Sequence, residues 1–97
     1  MKNLSCVSAE FTATHSLPVK DYPHAHTWIV TVYWPSEPWR DARDVMKSLN
    51  GLLSLMRGEY LPGLTQEIIA EKALQLDGIV KAAVWREDER IGCEAWK

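Results

Sequence analysis

The sequence predicts a single α+β domain over residues 1–97, with strands near both ends of the chain and two helices between them. Segments rich in β-branched and aromatic residues flank a central region whose apolar residues follow a helical period. Strands split around a helical pair favour an antiparallel sheet with both helices on one face. A length of 97 residues suits one domain and not two.

The first half of the chain contains two predicted strands. Residues 4–15 (LSCVSAEFTATH) alternate in part between apolar and polar side chains, which is typical of a strand. Two prolines in residues 16–23 predict a loop. Residues 26–34 (HTWIVTVYW) carry the strongest strand signal, and the PSEP sequence at 35–38 ends it.

Two amphipathic helices are predicted in the central region. Apolar residues at i, i+3, i+4 and i+7 spacing indicate a first helix of about four turns. They are Ala42, Val45, Met46, Leu49, Leu52, Leu53 and Met56. Gly58 suits its C-terminal end. The second helix begins near Thr65, a plausible N-cap, with Glu67 complementing the helix dipole and Gly78 as the stop.

The C-terminal region predicts a closing pair of strands. Residues 79–87 (IVKAAVWRE) read as the third strand and residues 91–96 (IGCEAW) as the fourth, with a turn at 88–90. The predicted order is therefore ββααββ.

Composition excludes several classes of function. The net charge of −2 provides no basic field for nucleic acid or anionic lipid. No apolar run approaches the roughly 20 residues that span a bilayer, and the N-terminal residues lack the apolar segment of a signal peptide. We therefore expect a cytoplasmic location, with Cys6 and Cys93 as buried free thiols rather than a disulfide. The five Trp indicate an interface, a ligand pocket or simply the core.

All three histidines of the chain lie within twelve residues: His15, His24 and His26. In a strand, His24 and His26 place both rings on the same face. If the first two strands form a hairpin, His15 returns to face the other two. Zinc accepts such nitrogen ligands, and three of them leave its fourth position open for water or substrate. The alternative is an exposed PHAH loop that binds no metal.

Three motifs resemble the 6-pyruvoyl-tetrahydropterin synthase and 6-carboxytetrahydropterin synthase (QueD-like) family. They are Phe11–His15 (FTATH), His24–Trp28 (HAHTW) and Thr65–Ala70 (TQEIIA). The family has F-x-A-x-H, H-G-H-x-Y/W and P-T-x-E-x-x-A in the same order, followed by a strand that ends in Glu. The resemblance covers essentially the whole chain, and the histidine motifs are its most specific part.

The resemblance implies a T-fold, in which a four-stranded antiparallel sheet is backed by two helices. Such subunits trimerise into a closed barrel, and two trimers commonly stack into a hexamer, so the chain is expected to be a homo-oligomer. Zinc in this family holds the side chain of a dihydroneopterin-type substrate, and a Glu anchors the pterin ring. Thr65 and Gln66 match positions that meet the pterin in relatives, and Glu67 matches the motif's Glu.

The chain also departs from the family pattern. The family's catalytic Cys, four residues before the HxH pair, is Lys20 here, and no histidine follows His26 to form the usual Asp–His pair. Lys20 and its neighbour Asp21 are the candidate replacement bases. Glu87 is the candidate pterin anchor, although a register one residue earlier would put Arg86 at that position.

Three functions remain open on these grounds. The first is a zinc-dependent lyase of the pterin synthase type. The second is a zinc- and pterin-binding relative without lyase activity. The third is a structural oligomer subunit whose metal stabilises the hairpin. The missing Cys and His disfavour ordinary synthase turnover. The intact histidine triad disfavours a purely structural role, because a structural zinc site usually closes its fourth position with Cys or His.

Overall fold

The computed structural model describes residues 3–16 and 22–97. Within these residues the chain forms five strands and two helices. They are β1 (Leu4–Ser16), β2 (His24–Pro35), α1 (Ala42–Ser54), β3 (Tyr60–Pro62), α2 (Gln66–Leu74), β4 (Lys81–Arg86) and β5 (Ile91–Trp96). The predicted α+β class is confirmed.

The strands form one open sheet in the order β3-β1-β2-β4-β5. β1 and β2 make a long antiparallel hairpin whose register runs from Leu4 opposite Pro35 to His15 opposite His24. β2 pairs antiparallel with β4, and β4 with β5. The four long strands therefore have the predicted antiparallel arrangement.

The prediction of a four-stranded, purely antiparallel sheet is wrong because it omits β3. This three-residue strand lies parallel to the end of β1, with Leu61 opposite His15. Its sequence, Tyr-Leu-Pro, contains a proline and is too short to show alternation, so its sequence carries no strand signal. The observed order is ββαβαββ, and β3 borders the end of β1 that carries His15.

One face of the sheet is buried beneath both helices. α1 packs against β1, and α2 packs against β4 and β5. Alternate strand residues point into the core, as the pleat requires. The buried apolar strand residues are Phe11, Ala13, Trp28, Val30, Val32, Trp34, Ala82 and Val84, and those of the helices are Val45, Leu49, Leu53, Ile69, Ala70, Ala73 and Leu74.

The opposite face of the sheet carries a row of larger side chains. The Lys81 ammonium lies 4.7 Å from the ring centre of Tyr33 and 4.3 Å from that of Trp96, and 3.0 Å from a carboxylate oxygen of Glu94. Of the five Trp, Trp28 and Trp34 are core residues, and the other three are exposed.

The cysteines are free thiols, as predicted, but they are not both buried. Cys6 is exposed because it lies on the uncovered face of β1. Cys93 is half-buried beside α2, and its burial, together with the charges of Glu67 and Glu94, raises the pKa of its thiol. In the part of the chain that the structure describes, neither helix is long and apolar enough to cross a membrane.

Both helices begin at a residue whose side chain caps the exposed N–H groups. Asp41 caps α1 by accepting a hydrogen bond from the Arg43 backbone N–H at 2.9 Å, and this bond lowers the pKa of its carboxyl. Thr65 caps α2 by accepting from the Ile68 N–H at 3.3 Å. The predicted N-cap at Thr65 is confirmed.

Replacing Thr65 by Ala is expected to reduce the free energy of unfolding by about 1 kcal/mol, because an N–H of the first turn of α2 loses its acceptor. Urea unfolding followed by circular dichroism measures the loss. Thr65→Ser retains the hydroxyl and is the matched control. Equal stability of the Ala and Ser variants would show that the cap contributes nothing.

Candidate metal centre

The hairpin brings the three histidines to one end of the sheet. His15 and His24 lie directly opposite each other in the β1–β2 register, and His26 follows two residues later on the same face. His15 is 3% exposed and His26 is 7% exposed, whereas His24 is half-buried at the rim. Burial of two imidazoles at a strand end requires partners for their ring nitrogens.

The three rings surround a common point. Their centres are 4.5 Å (His15–His24), 4.9 Å (His15–His26) and 4.6 Å (His24–His26) apart, and each pair is nearly perpendicular. Each residue offers one ring nitrogen, and the three nitrogens lie within 4.8 Å of one another. The predicted convergence of the three rings is confirmed.

Two backbone carbonyls set the tautomers of the first two histidines. The Nδ1–H of His15 donates to the Leu64 carbonyl at 2.7 Å, and that of His24 donates to the Tyr22 carbonyl at 2.6 Å. A carbonyl oxygen only accepts hydrogen bonds, so the proton of each ring is assigned to Nδ1. Nε2 is then the atom that each ring presents to the centre.

The two Nε2 atoms of His15 and His24 lie 2.9 Å apart. With both Nδ1 atoms protonated, two lone pairs would face each other at this distance unless an extra proton or a metal ion lies between them. A tetrahedral zinc with bonds of roughly 2.0–2.1 Å separates its ligand atoms by about 3.3 Å. The observed spacing is about 0.4 Å shorter, so a shared proton fits it as it stands and a zinc ion fits after a small separation of the two rings.

His26 is oriented by a carboxylate. Its Nδ1 lies 3.0 Å from Oδ2 of Asp88, and this hydrogen bond lowers the pKa of the Asp88 carboxyl. A carboxylate behind a ring nitrogen favours the tautomer that leaves Nε2 for a metal. The fully buried Trp28 ring packs edge-on against His15 and His26, with ring centres 5.3 and 5.6 Å away, and restricts both imidazoles.

The Nε2 atom of His26 is buried, and no described residue forms a hydrogen bond with it. Oε1 of Glu89 lies 3.2 Å away, which is an ion-pair distance. This contact forms no hydrogen bond with Nε2. A cation bound at Nε2 would give this buried nitrogen a partner.

The start of α2 is tied to the histidines. The Leu64 carbonyl that holds His15 directly precedes the cap residue Thr65. Gln66 follows it and donates a long hydrogen bond of 3.5 Å to the Gly92 carbonyl, while its Oε1 is buried and without a partner among the described residues. Glu67 is exposed, and its carboxylate accepts a hydrogen bond from the Gln66 amide at 3.3 Å.

Glu87 and Arg86 point to opposite faces of the sheet. Arg86 follows the buried Ala82 and Val84 on the helix-covered face, and Glu87 is exposed, accepting a hydrogen bond from the Trp85 indole at 2.5 Å. Glu87 lines an open cleft of about 470 Å³ that reaches the triad at His26 and includes Asp88.

The structure brings the predicted metal ligands together but leaves other predicted residues unplaced. Lys20 and Asp21 lie outside the described residues. Asp88 and Glu89 were missed because the sequence shows them only as turn residues. Once β2 is known to pair with β4, continuing its register beyond Ile29 opposite Trp85 brings the turn to His26.

No protein-family model and no curated protein matches the chain. The resemblance to the tetrahydropterin synthases therefore rests on the three sequence motifs alone, and the activity it implies is a matter for experiment.

Proposed function

We propose that the protein binds one zinc ion through His15, His24 and His26, and that it is a pterin-binding relative of the tetrahydropterin synthases. The observation that carries the zinc proposal is the set of three converging ring nitrogens backed by outer acceptors. Metal-binding histidines almost always donate their other N–H to a carbonyl or a carboxylate. Here two backbone carbonyls and the Asp88 carboxylate accept hydrogen bonds from these N–H groups.

Zinc is the ion that fits this donor set best. Imidazole nitrogens in a tetrahedral arrangement suit Zn²⁺, whereas Mg²⁺ and Ca²⁺ prefer oxygen ligands. Bound zinc would supply Lewis-acid polarisation of a substrate hydroxyl or carbonyl. The cytoplasmic location that we propose is consistent with two cysteines that are not paired.

The pterin proposal rests on the sequence resemblance and is supported by the cleft beside His26. Its volume of about 470 Å³ is within the usual range for a small-molecule site. Glu87 on its wall offers a carboxylate to the amide and amino groups of a pterin ring, the role that the resemblance assigns to it. Thr65 and Gln66 do not line this cleft, so the part that we propose for them in pterin binding rests on the sequence resemblance alone.

Lyase activity is a more specific proposal than zinc and pterin binding, and it requires a base. Lys20 holds the family's Cys position in the sequence and Asp21 is its neighbour, and one of them would abstract a proton from the carbon beside the zinc-polarised oxygen. The alternative is a zinc- and pterin-binding protein, or a structural subunit, without turnover. Assembly of T-fold subunits into a trimer or hexamer is part of the same proposal.

The test is the metal content of the purified protein, compared with that of His24→Ala/His26→Ala. We expect about one zinc per chain, lost in the double variant, since a tetrahedral site cannot persist on one imidazole. A wild-type protein that takes up no zinc in chelator-free buffer would refute the proposal. Incubation with dihydroneopterin triphosphate then separates turnover from binding without product.

A further inference from the structure

We propose that Trp28, Gln66 and Arg86 form a polar subsite beside the metal centre, and that it binds a neutral amide group of a small ligand, as in a lactam or a primary carboxamide. The inference goes beyond the pterin proposal and does not depend on it. These side chains lie on the helix-covered face of the sheet or at the start of α2, whereas Glu87 faces the other side.

Each of the three residues has a buried polar atom without a hydrogen bond. The atoms are Nε1 of Trp28, Oε1 of Gln66 and Nε of Arg86. Apart from Nε2 of His26, no other buried side-chain nitrogen or oxygen in residues 3–16 and 22–97 lacks a partner. Native structures leave few such atoms unpaired, and each one requires an explanation. A group of them at one place indicates a partner that the described residues do not supply.

The pairing of β2 with β4 places Trp28 beside Arg86. Ile29 lies opposite Trp85, so the register continues to Trp28 opposite Arg86. Both side chains point to the helix-covered face, because successive side chains of a strand alternate between its two faces. Directly opposite residues have Cβ atoms roughly 4.5–5.5 Å apart, so the indole and the guanidinium are neighbours.

The start of α2 crosses over this pair. At one end, the Leu64 carbonyl accepts a hydrogen bond from His15 on β1. At the other end, the Gln66 amide donates to the Gly92 carbonyl of β5. Since β2 and β4 lie between β1 and β5 in the sheet, residues 64–66 run over these two strands near the level of the indole and the guanidinium.

The charges around the subsite favour a neutral group. Nη1 of Arg86 lies 3.4 Å from Oε1 of Glu89, so a carboxylate already neutralises the guanidinium. Glu67 accepts a hydrogen bond from the Gln66 amide at 3.3 Å and adds negative charge on the side of the helix. An anionic ligand would also place its oxygen against Oε1 of Gln66, an acceptor that needs a donor. A carboxylate or a phosphate is therefore disfavoured.

An amide group matches the three unpaired atoms. Nε1 of Trp28 and Nε of Arg86 only donate, and Oε1 of Gln66 only accepts. An amide carbonyl oxygen has two lone pairs and can accept from both donors, while the amide N–H donates to Gln66. Arg86 is 15% exposed and Gln66 is half-buried, so the group can enter at this rim. The hydrogen bond that closes the cover at Gly92 is long, at 3.5 Å, so little energy opposes its opening.

Proton–nitrogen correlation NMR of the purified protein tests the subsite, because the Trp28 indole N–H and the Arg86 Nε–H give separate signals. Trp28→Phe and Arg86→Lys each remove one signal and so assign both. The probe is δ-valerolactam, a small cyclic amide. Cyclohexanone has the same ring size and carbonyl but no N–H, and cyclopentanecarboxylate carries the charge that the subsite disfavours. No proposed zinc ligand is altered, so the result is independent of the zinc proposal.

We expect δ-valerolactam to shift both signals in one saturable titration, and cyclohexanone to bind at least about 10-fold more weakly, because it leaves Oε1 of Gln66 unpaired. Gln66→Met should abolish this preference. The matched control Gln75→Met, at the exposed C-terminal cap of α2, should retain it.

Three results would overturn the proposal. Signals that do not move with δ-valerolactam would overturn the subsite, since water alone would then serve these atoms. Equal affinity for cyclohexanone or cyclopentanecarboxylate would overturn the assignment of an amide ligand. An unchanged preference in Gln66→Met would overturn the role of Gln66 as the acceptor.

Discussion

Zinc added to the metal-free protein is expected to raise its thermal midpoint by roughly 15 to 30 °C, because about 4 kcal/mol of stabilisation at 1,000 times Kd shifts a domain of this size by 4–8 °C per kcal/mol. The triad joins β1 and β2, and its outer hydrogen bonds reach Leu64, which precedes the cap of α2, and the β4–β5 turn. Metal bound only in the folded state stabilises all these connections together.

The measurement is thermal unfolding by circular dichroism across a zinc titration. Mg²⁺ at the same concentrations is the control ion, since nitrogen ligands disfavour it and little shift is expected. His24→Ala/His26→Ala should show no zinc-dependent shift. A midpoint that stays constant in the wild type, or that rises equally in the double variant, would contradict specific binding at the three histidines.

Most of the fold was predictable because local pattern and tertiary packing agree. The alternation of β1 and β2 matches their buried and exposed faces, and the apolar stripe of α1 is the face that meets β1. β5 has the predicted bounds. β3 was not predictable, because Tyr60–Pro62 becomes a strand only by lying beside the end of β1. A strand that forms only through such a tertiary contact has no recognisable pattern in a three-residue sequence.

The histidine cluster was predictable from spacing, whereas the groups around it were not. Two histidines two residues apart share a face of any strand, and the hairpin placed His15 directly opposite His24. The acceptor for the His15 ring is a backbone carbonyl, which has no residue signature. The positions of Asp88 and Glu89 beside His26 depend on how far β2 and β4 pair along each other, and composition does not specify that length.

Trp28→Ala is expected to lower the free energy of unfolding by about 3–5 kcal/mol, the usual cost of removing a large aromatic side chain from a core. Trp28 is fully buried, stacks on Phe11 at 5.2 Å between ring centres, and contacts both His15 and His26. The cavity would leave these two imidazoles free to rotate, so zinc affinity should fall together with stability. Urea unfolding with a zinc titration measures both.

Trp28→Phe separates packing from hydrogen bonding at this position. The indole Nε1 of Trp28 is buried and has no hydrogen-bond partner among the described residues, so the indole N–H contributes a desolvation cost of roughly 1–3 kcal/mol. Phe removes that cost while losing part of the ring contact, so the two effects offset each other. We therefore expect Trp28→Phe to be within about 1–2 kcal/mol of wild type and to retain zinc. A loss as large as that of Trp28→Ala would contradict this offset and show that the contacts of the larger ring outweigh the cost of its unpaired N–H.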